Sequence, residues 1–108
     1  MPRQDALQGS LPLLVLTILA RRGPLHGYAI TAHIEQLSDA LRVEEGSLYP
    51  ALHRMEEAGW IKARWTKTAH NRRARTYEIS TSGRKQLEIE EARWRSITAA
   101  VGHVLKHA

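Results

Sequence analysis

The sequence predicts a mostly α-helical protein with a small β-hairpin, and three observations predict it. Apolar residues recur at helical spacing in three stretches, and an earlier stretch is apolar almost throughout. Between the last two helical stretches the period switches to strict alternation over two short runs. Glycine or proline stands at several of the junctions. With 108 residues the chain is expected to form one modest core. Its 43% hydrophobic and 25% charged residues are ordinary for a soluble globular protein.

The first element is "LPLLVLTILA", Leu11 to Ala20. Ser10 is a good N-cap, Pro12 falls in the first turn where a missing N–H costs little, and Gly23-Pro24 stops the helix. The run has the length of a signal-peptide core. However, Asp5 interrupts the basic region and Arg21-Arg22 stands where small residues would be needed for cleavage. It is also about half of what a bilayer span requires. A helix buried on nearly all sides is expected, in a cytoplasmic protein. Cysteine is absent, which removes disulfide and thiolate chemistry.

In "PLHGYAITAHIEQLS", Ile30, Ile34 and Leu37 mark the inner face of a second helix, and residues 39–46 read as a connection. In "EEGSLYPALHRMEEAGWI", Leu48, Leu52 and Met55 point inward, while Tyr49, His53 and Glu56 lie beside them toward solvent. Pro50 is tolerable only within a first turn, so this helix starts near Glu45 to Ser47, and Gly59 ends it. Ile61, Ala63 and Trp65 then alternate with Lys62, Arg64 and Thr66, a half-buried strand. After the polar turn "KTAHNRRA", "RTYEIS" alternates again with Tyr77 and Ile79 on one side, which completes the hairpin. Thr81 is the expected cap of a last helix reaching about Leu105.

Three short helices followed by a hairpin is the plan of a winged helix-turn-helix, here with a long C-terminal helix added. The expected division is 1–80 for the winged unit and 81–108 for the last helix. In such a unit the third helix enters the DNA major groove with its N-terminal end foremost. Gly46 would allow close approach of the backbone, Ser47 and the first-turn N–H groups could donate to phosphate, and Tyr49 could place a hydroxyl there. His53 and Arg54 lie a turn further on, within reach of base edges or backbone. The plain alternative is a capped amphipathic helix whose polar face is merely wet.

Charge separates these readings. No acidic residue occurs between Glu57 and Glu78, whereas Lys62, Arg64, Lys67, Arg72, Arg73 and Arg75 supply six positive charges. Removing those six from the net +5 leaves −1 for the rest of the chain. One-signed charge on two paired strands repels itself. A phosphate backbone resolves that repulsion and releases counterions. Membrane binding would want a basic amphipathic helix, and none is present. The alternative function, a winged protein-interaction adaptor without DNA binding, has no need of such a wing.

"LHGYAI", "GSLYPALHRMEEAGWI", "RRARTYEIS" and "TSGRKQL" closely resemble the PadR family of bacterial transcriptional regulators, over about Leu7 to Leu105. The Gly-Ser-Leu-Tyr-Pro-Ala-Leu run is the most specific part. The resemblance implies a homodimer that binds double-stranded operator DNA, usually as a repressor. Carried over by position, it implies DNA contacts from Tyr28, Ser47, Tyr49, Arg72 and Arg73, alongside His53, Arg54 and Lys67 from the charge and helix arguments above. A single C-terminal helix resembles the short subfamily. Pro12 departs from the acidic residue many members carry, which touches the first helix only.

The last helix argues for a dimer by itself. Leu87, Glu90, Trp94, Ile97, Val101 and Val104 form a seam spaced 3, 4, 3, 4, 3. Some two dozen residues of helix extend about 36 Å, more than a small domain covers, and a twofold copy is the commonest partner. Glu90 interrupts the seam and is expected to mark its solvent-exposed start. Two roles stay open for Trp94. It is dimer core, or, as the resemblance to the short subfamily implies, it stacks on a planar aromatic effector that relieves repression. His103 and His107 stand at i, i+4 without an evident third metal ligand. No catalytic residue set, cofactor motif or phosphate-cradling glycine loop is found, so no enzyme, metal or cofactor is expected.

Overall fold

Helix α1 (Arg3–Arg22) begins well before the expected cap at Ser10 and carries Pro12 in its interior. The computed structural model describes residues 3–108, with side chains described for residues 9–44 and 46–108; residues 1 and 2 of the expected first unit lie outside it. The residues before Ser10 include Ala6, Leu7 and Gln8, all good helix formers, and they extend the helix past the local cap. The stop is as expected. Gly23 takes φ +83° and its N–H closes on the Leu19 carbonyl at 3.1 Å. Leu11, Val15, Leu16, Ile18 and Leu19 are buried, while Leu13 and Leu14 are only partly covered.

After a two-residue strand β1 (Leu25–His26) come α2 (Gly27–Leu37) and α3 (Glu45–Glu57). Ile30 and Ile34 are in the core, but Leu37 is exposed, contrary to the expected inner face. It closes the helix as the chain turns outward, with the Ser38 N–H bonded back to Ile34. The connection is held from inside: the Glu35 carboxylate accepts from the Val43 N–H at 3.2 Å. In α3, Leu48, Leu52 and Met55 are at most 1% exposed, whereas Tyr49 and His53 face solvent. Pro50 sits in the second turn rather than the first, so the helix forgoes one interior N–H. Gly59, with φ +83°, ends α3: its N–H reaches the Glu56 carbonyl and that of Trp60 reaches Met55, both at 3.0 Å. This paired closure is the Schellman arrangement.

Strands β2 (Ile61–Lys67) and β3 (Arg73–Ile79) form the hairpin, with Trp65 opposite Arg75 and Ala63 opposite Tyr77. Alternation alone did not reveal the two-residue β1, which adds to the β3 edge in a sheet of order β1-β3-β2. One face of the hairpin carries Ile61, Ala63, Trp65, Arg73, Arg75, Tyr77 and Ile79. Its base is core and its outer end leaves the core, so Trp65 is 57% exposed rather than half-buried. At the tip, Asn71 takes φ 61°, which asparagine tolerates. The Thr68 hydroxyl accepts from the N–H groups of His70 and Arg72, each at 3.2 Å.

Helix α4 (Thr81–His107) is capped by Ser80, not Thr81: the Ser80 hydroxyl accepts the Gly83 N–H at 3.0 Å. Its first turn is fastened to the end of α3. The Ser80 and Ser82 hydroxyls both donate to the Gly59 carbonyl, and the Ser80 N–H reaches the Trp60 carbonyl at 2.9 Å. Gly83 is required there, because a Cβ would fall on the Trp60 carbonyl oxygen. Glu90 is only 9% exposed, which corrects the expected solvent-facing start of the seam. Its carboxylate accepts from Gln86 Nε2 at 2.8 Å and lies 3.5 Å from Arg93, so the charge is partnered where α4 crosses α1. Beyond Glu91 every residue of α4 is exposed. The molecule is 56 Å along its longest axis and 28 by 21 Å across.

Candidate nucleic-acid interface

The first turns of α2 and α3 and the outer half of the wing meet at one groove of about 300 Å³. Its walls are His26, Gly27, Tyr28, Tyr49, Trp65, Ala74, Arg75 and Tyr77. The packing that builds it is local and specific. The Tyr49 ring lies across the start of α2, where a Cβ on Gly27 would come within 2.8 Å of the Tyr49 hydroxyl oxygen and 2.9 Å of its ring. Tyr28, 59% exposed, stacks on His26 with ring centroids 5.4 Å apart. His26 Nδ1 in turn lies 3.2 Å from the Thr76 hydroxyl, which is 2.6 Å from that of Thr66. Three elements thus hold two tyrosine rings at one surface. Tyr77 closes the floor, and its burial raises the phenol pKa above the ordinary value of 10.0, with Arg75 opposing that shift.

The wing cations divide into two sets. Arg75 reaches the Glu56 carboxylate at 2.9 Å, and Arg64 reaches Glu78 at 3.2 Å. The first pair ties the wing to α3, and the second links the strands. Neither pairing is legible in the sequence, because Glu56 lies outside the one-signed stretch and Glu78 at its edge. Lys62, Lys67, Arg72 and Arg73 are exposed and make no ion pair among the described residues. Arg73 instead stacks over Trp65, 5.0 Å from the ring centroid. The positive excess is therefore narrower than the sequence count, with Lys67, Arg72 and Arg73 at or beside the tip and Lys62 at the base of the hairpin.

The expected DNA-contacting residues fall on the groove, on the wing and further along α3. Tyr28 and Tyr49 line the groove, with Ser47 half-buried two residues before Tyr49. Lys67, Arg72 and Arg73 stand on the wing. His53 and Arg54 are exposed further along α3, where His53 Nε2 is 3.6 Å from the Glu57 carboxylate. Glu44 offers the first turn of α3 no side-chain cap, and a Cβ at Gly46 would meet open space, so no neighbour in the chain requires glycine there. Gly27, Trp65 and the Glu56–Arg75 pair were missed as parts of this surface. Only the unexplained glycine before Tyr28 and an aromatic among cations could have signalled them.

A second surface lies on α4. Trp94, Ile97, Val101 and Val104 run along one side, and Ile97 and Val101 are each 52% exposed. Trp94 stands between two hollows. An apolar one of about 310 Å³ has Leu13, Leu14, Ile34, Leu37 and Leu41 in its walls. A smaller one, about 250 Å³, includes Ser10, Glu90 and Arg93. Among the described residues no group of three or more His, Asp or Glu could hold a metal ion, and no helix is long and apolar enough to cross a membrane.

Residues 15–89 match the model of the transcriptional regulator PadR-like family. An uncharacterized 37.1 kDa protein in a transposon of Streptomyces fradiae is 45% identical over 78 residues, which are 72% of this chain and 21% of that protein. The chain thus spans about a fifth of that curated relative. Among solved structures, a transcriptional regulator from Clostridium thermocellum is similar at TM-score 0.84 and 25% identity, covering 93% of this chain and 97% of its own. A PadR-like transcriptional regulator from Bacillus cereus is similar at 0.81 and 25%, covering 97% and 100%. A PadR family regulator from Eggerthella lenta is similar at 0.81 and 27%, covering 96% and 88%. The three solved structures are of transcriptional regulators rather than enzymes, the chain shares their fold, and it belongs to the PadR-like family of transcriptional regulators.

Proposed function

We propose that the chain acts in the cytoplasm as a homodimeric repressor that binds operator DNA and is relieved by a planar aromatic effector. Residues 1–80 serve as the DNA-binding unit and 81–108 as the dimerisation helix. The observation that carries this reading is the continuation of one apolar seam past the chain's own core. Leu87 is half-covered by the core, while Trp94, Ile97, Val101 and Val104 are left open along the same helix side. A second copy related by a twofold axis would cover them, and two wings with two third helices would then face two half-sites.

DNA contact is assigned to Tyr28, Ser47, Tyr49, His53 and Arg54 at the helices and to Lys67, Arg72 and Arg73 at the wing. The four unpaired wing cations supply affinity through counterion release, and the third helix supplies sequence preference. The effector is assigned to Trp94, whose half-exposed indole stands between the two hollows. An effector there acts only through its differential affinity for two dimer arrangements. The joint between Gly59-Trp60 and Ser80 to Gly83 fastens α4 to the end of α3, so a shift of one helix is carried to the other. Selection of bound fragments from random duplexes tests the DNA reading: recovery of a palindromic site supports it, and a random pool after several rounds opposes it. Titration of planar cationic dyes against wild type and Trp94→Leu tests the effector site, with weaker binding expected in the variant. Equal affinity would leave Trp94 as dimer core.

A further inference from the structure

Trp65 is a large, exposed apolar side chain that belongs neither to the core nor to the α4 seam. It lies on the wing, 57% exposed, at the rim of the groove lined by Tyr28 and Tyr49. Two guanidinium groups flank it, Arg73 at 5.0 Å and Arg75 at 5.8 Å from the ring centroid. They differ in what else holds them. Arg75 is anchored to Glu56 at 2.9 Å, so it fixes the ring relative to α3. Arg73 makes no ion pair among the described residues, so the ring orients a cation that is otherwise unrestrained.

We propose that Trp65 and Arg73 form one reading element that enters the DNA minor groove beside each half-site, Trp65 lying against the sugars and Arg73 pointing inward. This rests on the DNA-binding reading above. The occupant follows from charge. An indole flanked by Arg73 and Arg75, on a wing that also carries Arg72 and Lys67, is a poor seat for a protein or lipid apolar surface, which would bury Arg73 without an ionic partner. Deoxyribose offers apolar contact to the ring while the flanking phosphates neutralise the cations. A minor-groove arginine favours narrow A·T-rich segments, and the exocyclic amino group of guanine obstructs it. The wing therefore contributes a preference for flanking sequence, not affinity alone.

The test uses the full chain and a duplex recovered by the random selection, with flanks of A·T, G·C or inosine·C pairs, the last lacking the minor-groove amino group. Wild type should bind A·T and inosine·C flanks alike and G·C flanks more weakly. Trp65→Ala should weaken binding to the A·T-flanked duplex by about tenfold or more, the effect of exposing a large apolar side chain, and should erase the flank preference. Trp65→Phe should retain part of both. Arg73→Ala should also erase the preference and flatten the salt dependence by about one counterion. Because Trp65 is mostly outside the core, Trp65→Ala should melt like wild type. A folded Trp65→Ala that binds within twofold of wild type, or keeps the flank preference, overturns the assignment. A wild type that selects no duplex overturns the DNA reading beneath it.

Discussion

Helices α3 and α4 carry apolar residues at the same spacing and have opposite fates. In α3, Leu48, Leu52 and Met55 sit at 1% exposure or less; in α4, Ile97, Val101 and Val104 stand at 52 to 62%. Spacing states which side of a helix wants cover. It does not state what supplies the cover. The core of α1, α2 and the sheet base closes over α3, whereas α4 leaves that core after Glu91. The stability of α3 therefore comes from within one chain, whereas the outer half of α4 finds no cover among the described residues of its own chain.

The largest effect is expected at the joint between α3 and α4. Gly83→Ala drives a Cβ into the Trp60 carbonyl, a backbone atom that cannot step aside. Thermal unfolding should show the greatest loss among the substitutions considered, and a melt like that of wild type would mean that this joint is loose. Leu52→Ala should cost about 2–5 kcal/mol in denaturant unfolding, independent of protein concentration, as a buried cavity does. Ile97→Glu with Val101→Glu acts differently. The monomer already exposes both positions, so the damage should be to assembly, read as monomers in sedimentation and a lost concentration dependence of the melting point. If the pair sediments like wild type, the seam is not the interface.

Smaller effects sharpen the contrast within the wing. Arg72→Ala with Arg73→Ala should reduce the slope of log affinity against log salt by about 0.9 per lost phosphate contact. Arg64→Ala, whose guanidinium is already paired with Glu78, should change the slope less. Equal effects would make the pairing irrelevant to DNA. Tyr49→Phe keeps the ring on Gly27 and removes the hydroxyl, so binding should weaken by about 1 kcal/mol with little change in folding. A loss of stability without a loss of binding would place that hydroxyl in the core. Least of all, Tyr77 prefers its neutral form when folded. Its contribution is complete below the ordinary tyrosine value and is lost as pH rises past it toward the raised folded value, so stability should fall above about pH 10. Tyr77→Phe should blunt that fall in alkaline unfolding curves.

Much of this was legible in the sequence, for identifiable reasons. The inner stripe of α3, the Gly59 stop and the hairpin follow from local rules that the chain obeys. What was not legible depends on distant partners. Glu90 reads as a break in a seam until Gln86 and Arg93 are found beside it. Leu37 reads as core until the turn after it is seen to lead outward. Ser80 takes the cap from Thr81 because its hydroxyl also reaches the end of α3, and β1 exists only because β3 offers an edge. Six wing charges become four because Glu56 reaches Arg75 from α3 and Glu78 pairs with Arg64 across the hairpin. On the candidate interface, the exposed positions of Tyr28, Tyr49, Arg72 and Arg73 could be placed from the elements that carry them, but the groove joining the tyrosines to Trp65 could not.

A second copy of the chain is expected to complete the open side of α4. Sedimentation equilibrium of the wild-type protein without DNA tests it most directly. The expected result is a species of twice the 12.2 kDa chain mass, dissociating only on dilution. A single species at 12.2 kDa across micromolar concentrations, with α4 still helical, would contradict it.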